Sequence, residues 1–370
     1  MKISAISLYG LDLPLRTPQV LSRGRKFDQF KSTFIKIDTD EGISGWGEVC
    51  PWGSSYLPAF PGGLRAALME IAPQLIGQDP MRPEVVVRYM DRILAGHIYA
   101  KAAVDFAIWD IMGKALSRPI YDLLGGKEDN PVPRMASVHL DSQSHMEAEI
   151  EQKRAAGFRN FSVKMGRGLE ADVETIKSVT ERKRAGELFI FDANGGWSPH
   201  EATRVMNAVS HLDTTFEQPC LTYEECLHVR TRTRQAISLD ECMVELRDFV
   251  RALSDRGCEL VSIKLARVGG LTKARAIRDL CLAYDINLFM MCMAGTVVND
   301  TVAAHFAQTI PASRFCGAWS CQDYITVDPA PMLGARTVNG HMPPPDLPGL
   351  GVEPDLTLLG DPLAVYNSMQ

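Results

Sequence analysis

The sequence contains no run approaching the roughly 18 consecutive apolar residues that a membrane-spanning helix requires, which excludes a helical membrane protein and a membrane partner. It lacks a basic excess: 39 Lys and Arg stand against 45 Asp and Glu, a net charge of -6. With no basic stripe to neutralise phosphates, nucleic acid is not an expected partner. The brief basic clusters at 23–26 and 182–184 read as solvated faces. The nine cysteines have no framework spacing, and Cys258 and Cys281 lie in apolar, helix- or strand-like settings. An odd, unpatterned set predicts reduced thiols and a cytoplasmic location rather than a disulfide scaffold. The first residues have no apolar leader core either; they alternate polar and apolar from Lys2 to Ile6, which predicts a strand.

What is present is an ordinary globular composition, 46% hydrophobic and 23% charged, over 370 residues. A single core stops growing near roughly 250 to 300 residues, so two domains are expected. Residues 2–10 and 32–38 read as strands, and the turn-rich 40–48 as a hairpin into a third. A polar, basic loop is expected at 17–31. Another, with Pro51, Trp52, Gly53, Tyr56, Pro58 and Phe60, follows the third strand. Loops of that length are candidates for covering a site. From 63 to 116 the period is helical, with Ala100, Ala103, Val104, Ala107 and Ile111 on one face. Gly125-Gly126 then marks a boundary, giving an α+β domain over 1–127.

Beyond it, short apolar strands are expected near 134–140, 159–165, 187–192, 214–217, 236–240, 259–264, 286–292 and 314–319. Amphipathic helices intervene, among them 147–156, 170–181, 200–209, 245–254 and 271–284. Eight strands alternating with helices predict the α/β class and a closed parallel barrel over 128–342. The Pro- and Gly-rich segment 343–370 is expected to run back over the first domain.

One charged residue ends each of five successive strands: Lys164, Asp192, Glu217, Asp240 and Lys264, spaced by 28, 25, 23 and 24 residues. In a parallel barrel the strand C-termini ring one mouth, so these side chains converge there. Three carboxylates brought together need a cation between them, and an all-oxygen donor set favours Mg²⁺ over zinc. The lysines flank the carboxylates in sequence order, and each is placed to take or return a proton. The chemistry this suits is removal of the proton next to a substrate carboxylate, with the metal stabilising the enediolate. A cation beside them is expected to lower both lysine pKa values. The competing reading, strand-end salt bridges at a barrel rim, does not account for five residues in register.

These residues, with Gly45-Trp46-Gly47-Glu48 and the segment from Trp109-Asp110 to Gly125-Gly126, resemble the enolase superfamily, in its muconate lactonizing enzyme and mandelate racemase-like subgroup. The resemblance covers essentially the whole chain. It implies an N-terminal α+β capping domain and a modified TIM (β/α)7β barrel, with Mg²⁺ held by Asp192, Glu217 and Asp240 and acid/base chemistry by Lys164 and Lys264. It also implies a homo-oligomer. One departure is Ser162-Val163-Lys164, where the subgroup usually carries Lys-x-Lys. A neutral hydroxyl at Ser162 weakens electrophilic help at the substrate carboxylate, or simply fills space.

Two opposed lysines allow racemisation or epimerisation, β-elimination, or cycloisomerisation. Trp319 at the eighth strand end and Tyr56 in the capping loop offer aromatic faces to an ammonium, with Asp323 as a counter-charge and Asn194 as a further substrate contact. Together with Tyr56-x-Pro58 and the run from Gly96 to Ala103, they resemble the branch acting on proline-type amino acids and betaines, the hydroxyproline betaine epimerases and cis-3-hydroxyproline dehydratases. The expected substrate is a small carboxylate with a cationic ring nitrogen. A dipeptide epimerase and a muconate-type cycloisomerase are the alternatives within the class. Outside it, a catalytically silent barrel that only binds is disfavoured, because all five charged residues are present.

Overall fold

The computed structural model describes residues 1–21 and 24–367. Three strands, β1 (Ile3–Leu21), β2 (Arg25–Thr39) and β3 (Ser44–Val49), form an antiparallel sheet. Helices α1 (Pro61–Leu75), α2 (Pro83–Ile93), α3 (Ile98–Ala115) and α4 (Ile120–Leu123) follow.

The barrel strands are β4 (Met135–Val138), β5 (Asn160–Lys164), β6 (Leu188–Asp192), β7 (Thr215–Glu217), β8 (Ala236–Leu239), β9 (Leu260–Lys264), β10 (Asn287–Met291) and β11 (Phe315–Ala318). Between them run α5 (Gln143–Ala155), α6 (Leu169–Glu181), α7 (Pro199–Ala208), α8 (Tyr223–Arg230), α9 (Leu246–Ser254), the short α10 (Leu265–Val268) with α11 (Leu271–Ala283), and α12 (Val297–Ala307). The eight strands lie in chain order and pair in parallel. The ring closes where Ala318 N donates to Pro133 O at 2.8 Å beside the Arg134–Ala318 bridge. This is the (β/α)7β barrel. A last helix, α13 (Leu356–Leu359), leads to β12 (Ala364–Asn367), which joins the first sheet antiparallel to β1.

The expected loop over 17–31 is instead an arm of β-ladder, with β1 and β2 paired as far as Leu21 and Arg25; Ser22 and Arg23 of that loop lie outside the described residues. Two prolines and few apolar side chains disguise the arm as a loop, and a register irregularity between Pro14 and Gln19 accommodates the prolines. The arm is tied to the barrel side by the Leu15–Ile325 bridge and by Arg16 N donating to Tyr324 O at 2.8 Å.

Capping domain and barrel share a core through α3, buried from Tyr99 to Ile111. The glycines of Gly45-Trp46-Gly47 allow this: a Cβ at Gly45 would sit 2.2 Å from Ala107 O, and one at Gly47 2.1 Å from Ala103 O. Asp110 on α3 accepts from Trp46 N at 2.9 Å and Leu350 N at 2.8 Å. Glu48 reaches across to the barrel and accepts from Thr296 N at 2.9 Å and Asn299 N at 3.0 Å, satisfying the N-terminus of α12. The nine cysteines are free thiols. Among the described residues no helix is long and apolar enough to cross a membrane.

Candidate active site

The parallel register places the charged residues side by side. Lys164 pairs with Asp192, and Asp192 with Glu217, across β5, β6 and β7; Asp240 follows directly on β8, and Lys264 ends β9. All five line one cavity at this mouth, so the strand-end residues do converge.

Each aspartate has a lysine. Lys164 Nζ is ion-paired with Asp192 Oδ2, and Lys264 Nζ lies 2.6 Å from Asp240 Oδ2. Arg267 Nη2 holds the other Asp240 oxygen at 2.7 Å, while Asn194 donates through its backbone N at 2.8 Å and its side chain at 2.9 Å to Asp192. Glu217, between them, makes no ion pair among the described residues and accepts from Ser262 Oγ at 2.6 Å.

The electrostatics follow from this. Burial, then Asp192 and Asp240, push the Glu217 carboxyl well above its usual range. Burial also opposes the charge on Asp240, but Lys264 and Arg267 overcome it and hold its pKa at about 2. At Lys164 burial works against the charge, yet Asp192 and Glu217 raise the pKa. The neighbouring carboxylates thus outweigh burial, opposite to the lowering expected for this lysine.

The donor set suits a hard divalent cation: three buried carboxylates at consecutive strand ends, crowded at Glu217, without imidazole or thiol among them. Asp192 and Asp240 are ion-paired with Lys164 and Lys264 and Glu217 accepts from Ser262, and no three acidic, histidine or cysteine groups among the described residues are gathered as a metal cage. The residues placed to hold a magnesium ion there would be Asp192, Glu217 and Asp240.

Of the expected substrate contacts, Tyr56, Ser162, Asn194 and Trp319 line the same cavity. Asp323 does not. Its carboxylate lies 2.5 Å from Arg134, a guanidinium only 1% exposed that requires a counter-charge, so the expectation of a free acid for an ammonium is corrected. Tyr56 already faces two cations, with Arg25 4.8 Å and Lys264 5.6 Å from its ring centroid. Trp319 stacks on Tyr324 at 5.5 Å, meets Trp52 at 6.0 Å, and donates from Nε1 to Ser137 Oγ at 2.9 Å. The aromatic wall is thus made by Trp52 and Trp319 more than by Tyr56.

Sequence reasoning missed Glu241, whose Oε1 accepts from Tyr56 at 2.5 Å and Asn194 at 3.2 Å. Its signal was the second acid directly after Asp240. Gln19 and His139 also line the cavity, and nothing in the order of residues pairs them across 120 positions.

Two family models match: Enolase C-terminal domain-like over residues 145–358, and Mandelate racemase / muconate lactonizing enzyme, N-terminal domain, over 6–125. A cis-3-hydroxy-L-proline dehydratase of Roseibium aggregatum is 40% identical, over 99% of this chain and 100% of that protein. An N-succinyl-L-Arg/Lys racemase of Bacillus cereus is 30% identical over 95% of each. A crystal structure of an enolase superfamily member from Roseovarius nubinhibens, complexed with magnesium, superposes with a TM-score of 0.95 at 41% identity, covering 99% of this chain and 100% of that one. The chain belongs to the enolase superfamily, in its mandelate racemase and muconate lactonizing enzyme family, and is an enzyme of that family.

Proposed function

We propose that the enzyme removes the proton α to the carboxylate of a proline- or hydroxyproline-type amino acid or betaine. The observation that carries this is the placement of Lys164 and Lys264, on β5 and β9, in one cavity with the carboxylates of the intervening strands. Lys164 and Lys264 serve the two faces of the substrate: one lysine accepts the Cα proton, and the other acts as acid. A magnesium ion held by Asp192, Glu217 and Asp240 supplies, when bound, positive charge beside the substrate carboxylate.

Where the ring bears a β-hydroxyl, the Cα–H electron pair becomes the Cα=Cβ bond, the C–O bond breaks, and the second lysine protonates the departing oxygen as water. Where it does not, that lysine returns a proton to the opposite face of Cα and the product is the epimer. The aromatic wall of Trp52 and Trp319 supports a cationic ring nitrogen. A 40% identical dehydratase supports elimination, and a 30% identical racemase supports proton return. The pairing of Asp323 with Arg134 weighs against a dipeptide epimerase, which needs a free acid for the peptide ammonium. A muconate-type cycloisomerase has no use for the aromatic wall.

Incubation with Mg²⁺ in D₂O, with the α-carbon followed by NMR, tests the reading. Exchange or loss of the α-proton is expected on proline-type acids and betaines, and not on dipeptides or muconates. No exchange on any ring acid would overturn it.

A further inference from the structure

Building on the proton-abstraction reading above, we propose that Gln19 is a specificity residue of this site and recognises a hydroxyl on the substrate ring. Gln19 lies on β1, in the arm that reaches the barrel mouth, is 5% exposed, and lines the cavity with Lys164 and Lys264. Its Oε1 is 3.1 Å from His139 Nε2, while its own Nε2 is buried with no hydrogen-bond partner among the described residues. A buried amide donor left without a partner is costly, so it marks a place where a ligand completes the bonding.

The amide is held at one end only. His139, just past β4, is fixed by Glu149, which accepts from its backbone N and from Nδ1, both at 2.8 Å. Lys153 stands 3.8 Å from the same Glu149 oxygen, and the His139 ring meets Tyr324 edge-on at 5.8 Å. Glu149 takes the Nδ1 proton; a neutral ring then accepts at Nε2 from the Gln19 amide nitrogen and leaves the amide oxygen open, whereas an imidazolium donates to the oxygen and leaves the nitrogen open.

Position and chemistry together select the ligand group. The carboxylates end β6 and β7 and follow β8, whereas His139 follows β4, beside the Trp319–Ser137 contact that joins β11 to β4. The substrate carboxylate belongs with the cationic groups, so Gln19 meets another part of the molecule. The same cavity wall carries apolar Val20, Leu21, Phe289 and Met291, which offer the amide no hydrogen bond. An amide can turn over, and His139 accepts or donates at Nε2 according to its protonation. A hydroxyl both donates and accepts, so it satisfies Gln19 in either orientation. A ring ammonium only donates and a carboxylate only accepts, so each fits one orientation alone.

The test is the ratio of kcat/KM between ring acids that differ only in a hydroxyl, proline against cis-3-hydroxyproline and cis-4-hydroxyproline, and their betaines, read by α-proton exchange or turnover. The wild-type enzyme is expected to favour one hydroxylated ring at least tenfold. Gln19→Met, similar in size and apolar, is expected to reduce that ratio about tenfold, mainly through KM. Gln19→Asn and His139→Ala are expected to reduce it by less, the amide being retained but displaced. A ratio that Gln19→Met leaves unchanged, even if both rates fall together, overturns the assignment of Gln19 while leaving the proton-abstraction reading intact. Absence of exchange on every ring acid with the wild-type enzyme overturns both.

Discussion

Tyr56 of the capping domain donates its phenolic hydrogen bond to Glu241 of the barrel at 2.5 Å, next to Asp240 in sequence. The bond spans 185 positions of the chain and closes the mouth where the candidate metal ligands stand. Tyr56→Phe keeps the ring, with its Arg25 and Lys264 contacts, and deletes this bond together with the longer one that Asn194 Nδ2 donates to the same hydroxyl at 3.5 Å. A hydrogen bond to a charged or acidic group contributes roughly 1.5 to 3 kcal/mol. The variant is therefore expected to unfold at a lower temperature and to show a KM raised about tenfold, with a smaller change in kcat. Steady-state kinetics and thermal unfolding check this; an unchanged KM would show that the capping loop is held by other contacts.

Trp319 tests the aromatic wall independently. A cation over an aromatic face gains roughly 0.5 to 2 kcal/mol, and each 1.4 kcal/mol is a tenfold change in affinity. Trp319→Leu should raise KM about 2- to 30-fold for a substrate with a cationic ring nitrogen. For an analogue with oxygen in place of that nitrogen, the change should be much smaller. Equal losses on both would assign Trp319 to packing against Tyr324 and Ser137 alone.

The strand-end residues were legible in the sequence because a single charge closing an apolar run stands out, and parallel strands repeat at a near-constant interval. The contacts that depend on where chains cross were not. Asp323 follows Trp319 by four residues, but its partner Arg134 is 189 positions away, and only the closed barrel brings them together. The arm of β1 and β2 was hidden because much of it is exposed, so the alternation of a half-buried strand is faint. Helix α12 carries no amphipathic contrast, since every residue from Val297 to Ala307 is buried.

Lysine removal separates the two proton transfers. Acid/base groups contribute about 10² to 10⁴ in rate. Lys164→Ala and Lys264→Ala should each abolish epimerisation, and one of them should retain α-proton exchange on a single enantiomer. Each variant leaves a buried aspartate short of a cation, Asp192 in one and Asp240, with Arg267 still bound, in the other. Circular dichroism must therefore accompany the kinetics. Full turnover in both folded variants would rule out the two-base mechanism.

The crowding at Glu217 makes the metal dependence measurable without activity. Glu217 is buried between two aspartates and, among the described residues, makes no ion pair. Mg²⁺ should raise the unfolding temperature of the wild-type protein, by the equivalent of about 2.7 kcal/mol at a hundredfold excess over Kd. Glu217→Gln removes the repulsion and keeps an acceptor for Ser262. Without metal it should be as stable as the wild type or more so, yet gain little from Mg²⁺. An equal gain in both proteins would remove Glu217 from the ligand set, and chelation that leaves wild-type turnover intact would remove the metal from the chemistry.

His305, on α12 and not in the wall of the lysine cavity, supplies a separate pH dependence. Its Nε2 lies 3.1 Å from Leu350 O, its ring stacks on Tyr121 at 5.4 Å, and burial lowers its pKa from 6.5 to about 4. The unfolded chain takes up the imidazole proton near pH 6.5, whereas the folded one resists until about 4. In that window the unfolded state binds more protons, so stability falls as pH falls. The contribution is fully present above pH 6.5 and is lost progressively toward pH 4, by roughly 3 kcal/mol in all. His305→Gln keeps a donor for Leu350 O and cannot titrate. Other groups titrate in the same range in both proteins, so the difference between their denaturation curves isolates His305. The variant should gain on the wild type steadily from pH 6.5 down to 4; a constant difference across that range would show that His305 is not protonated on unfolding.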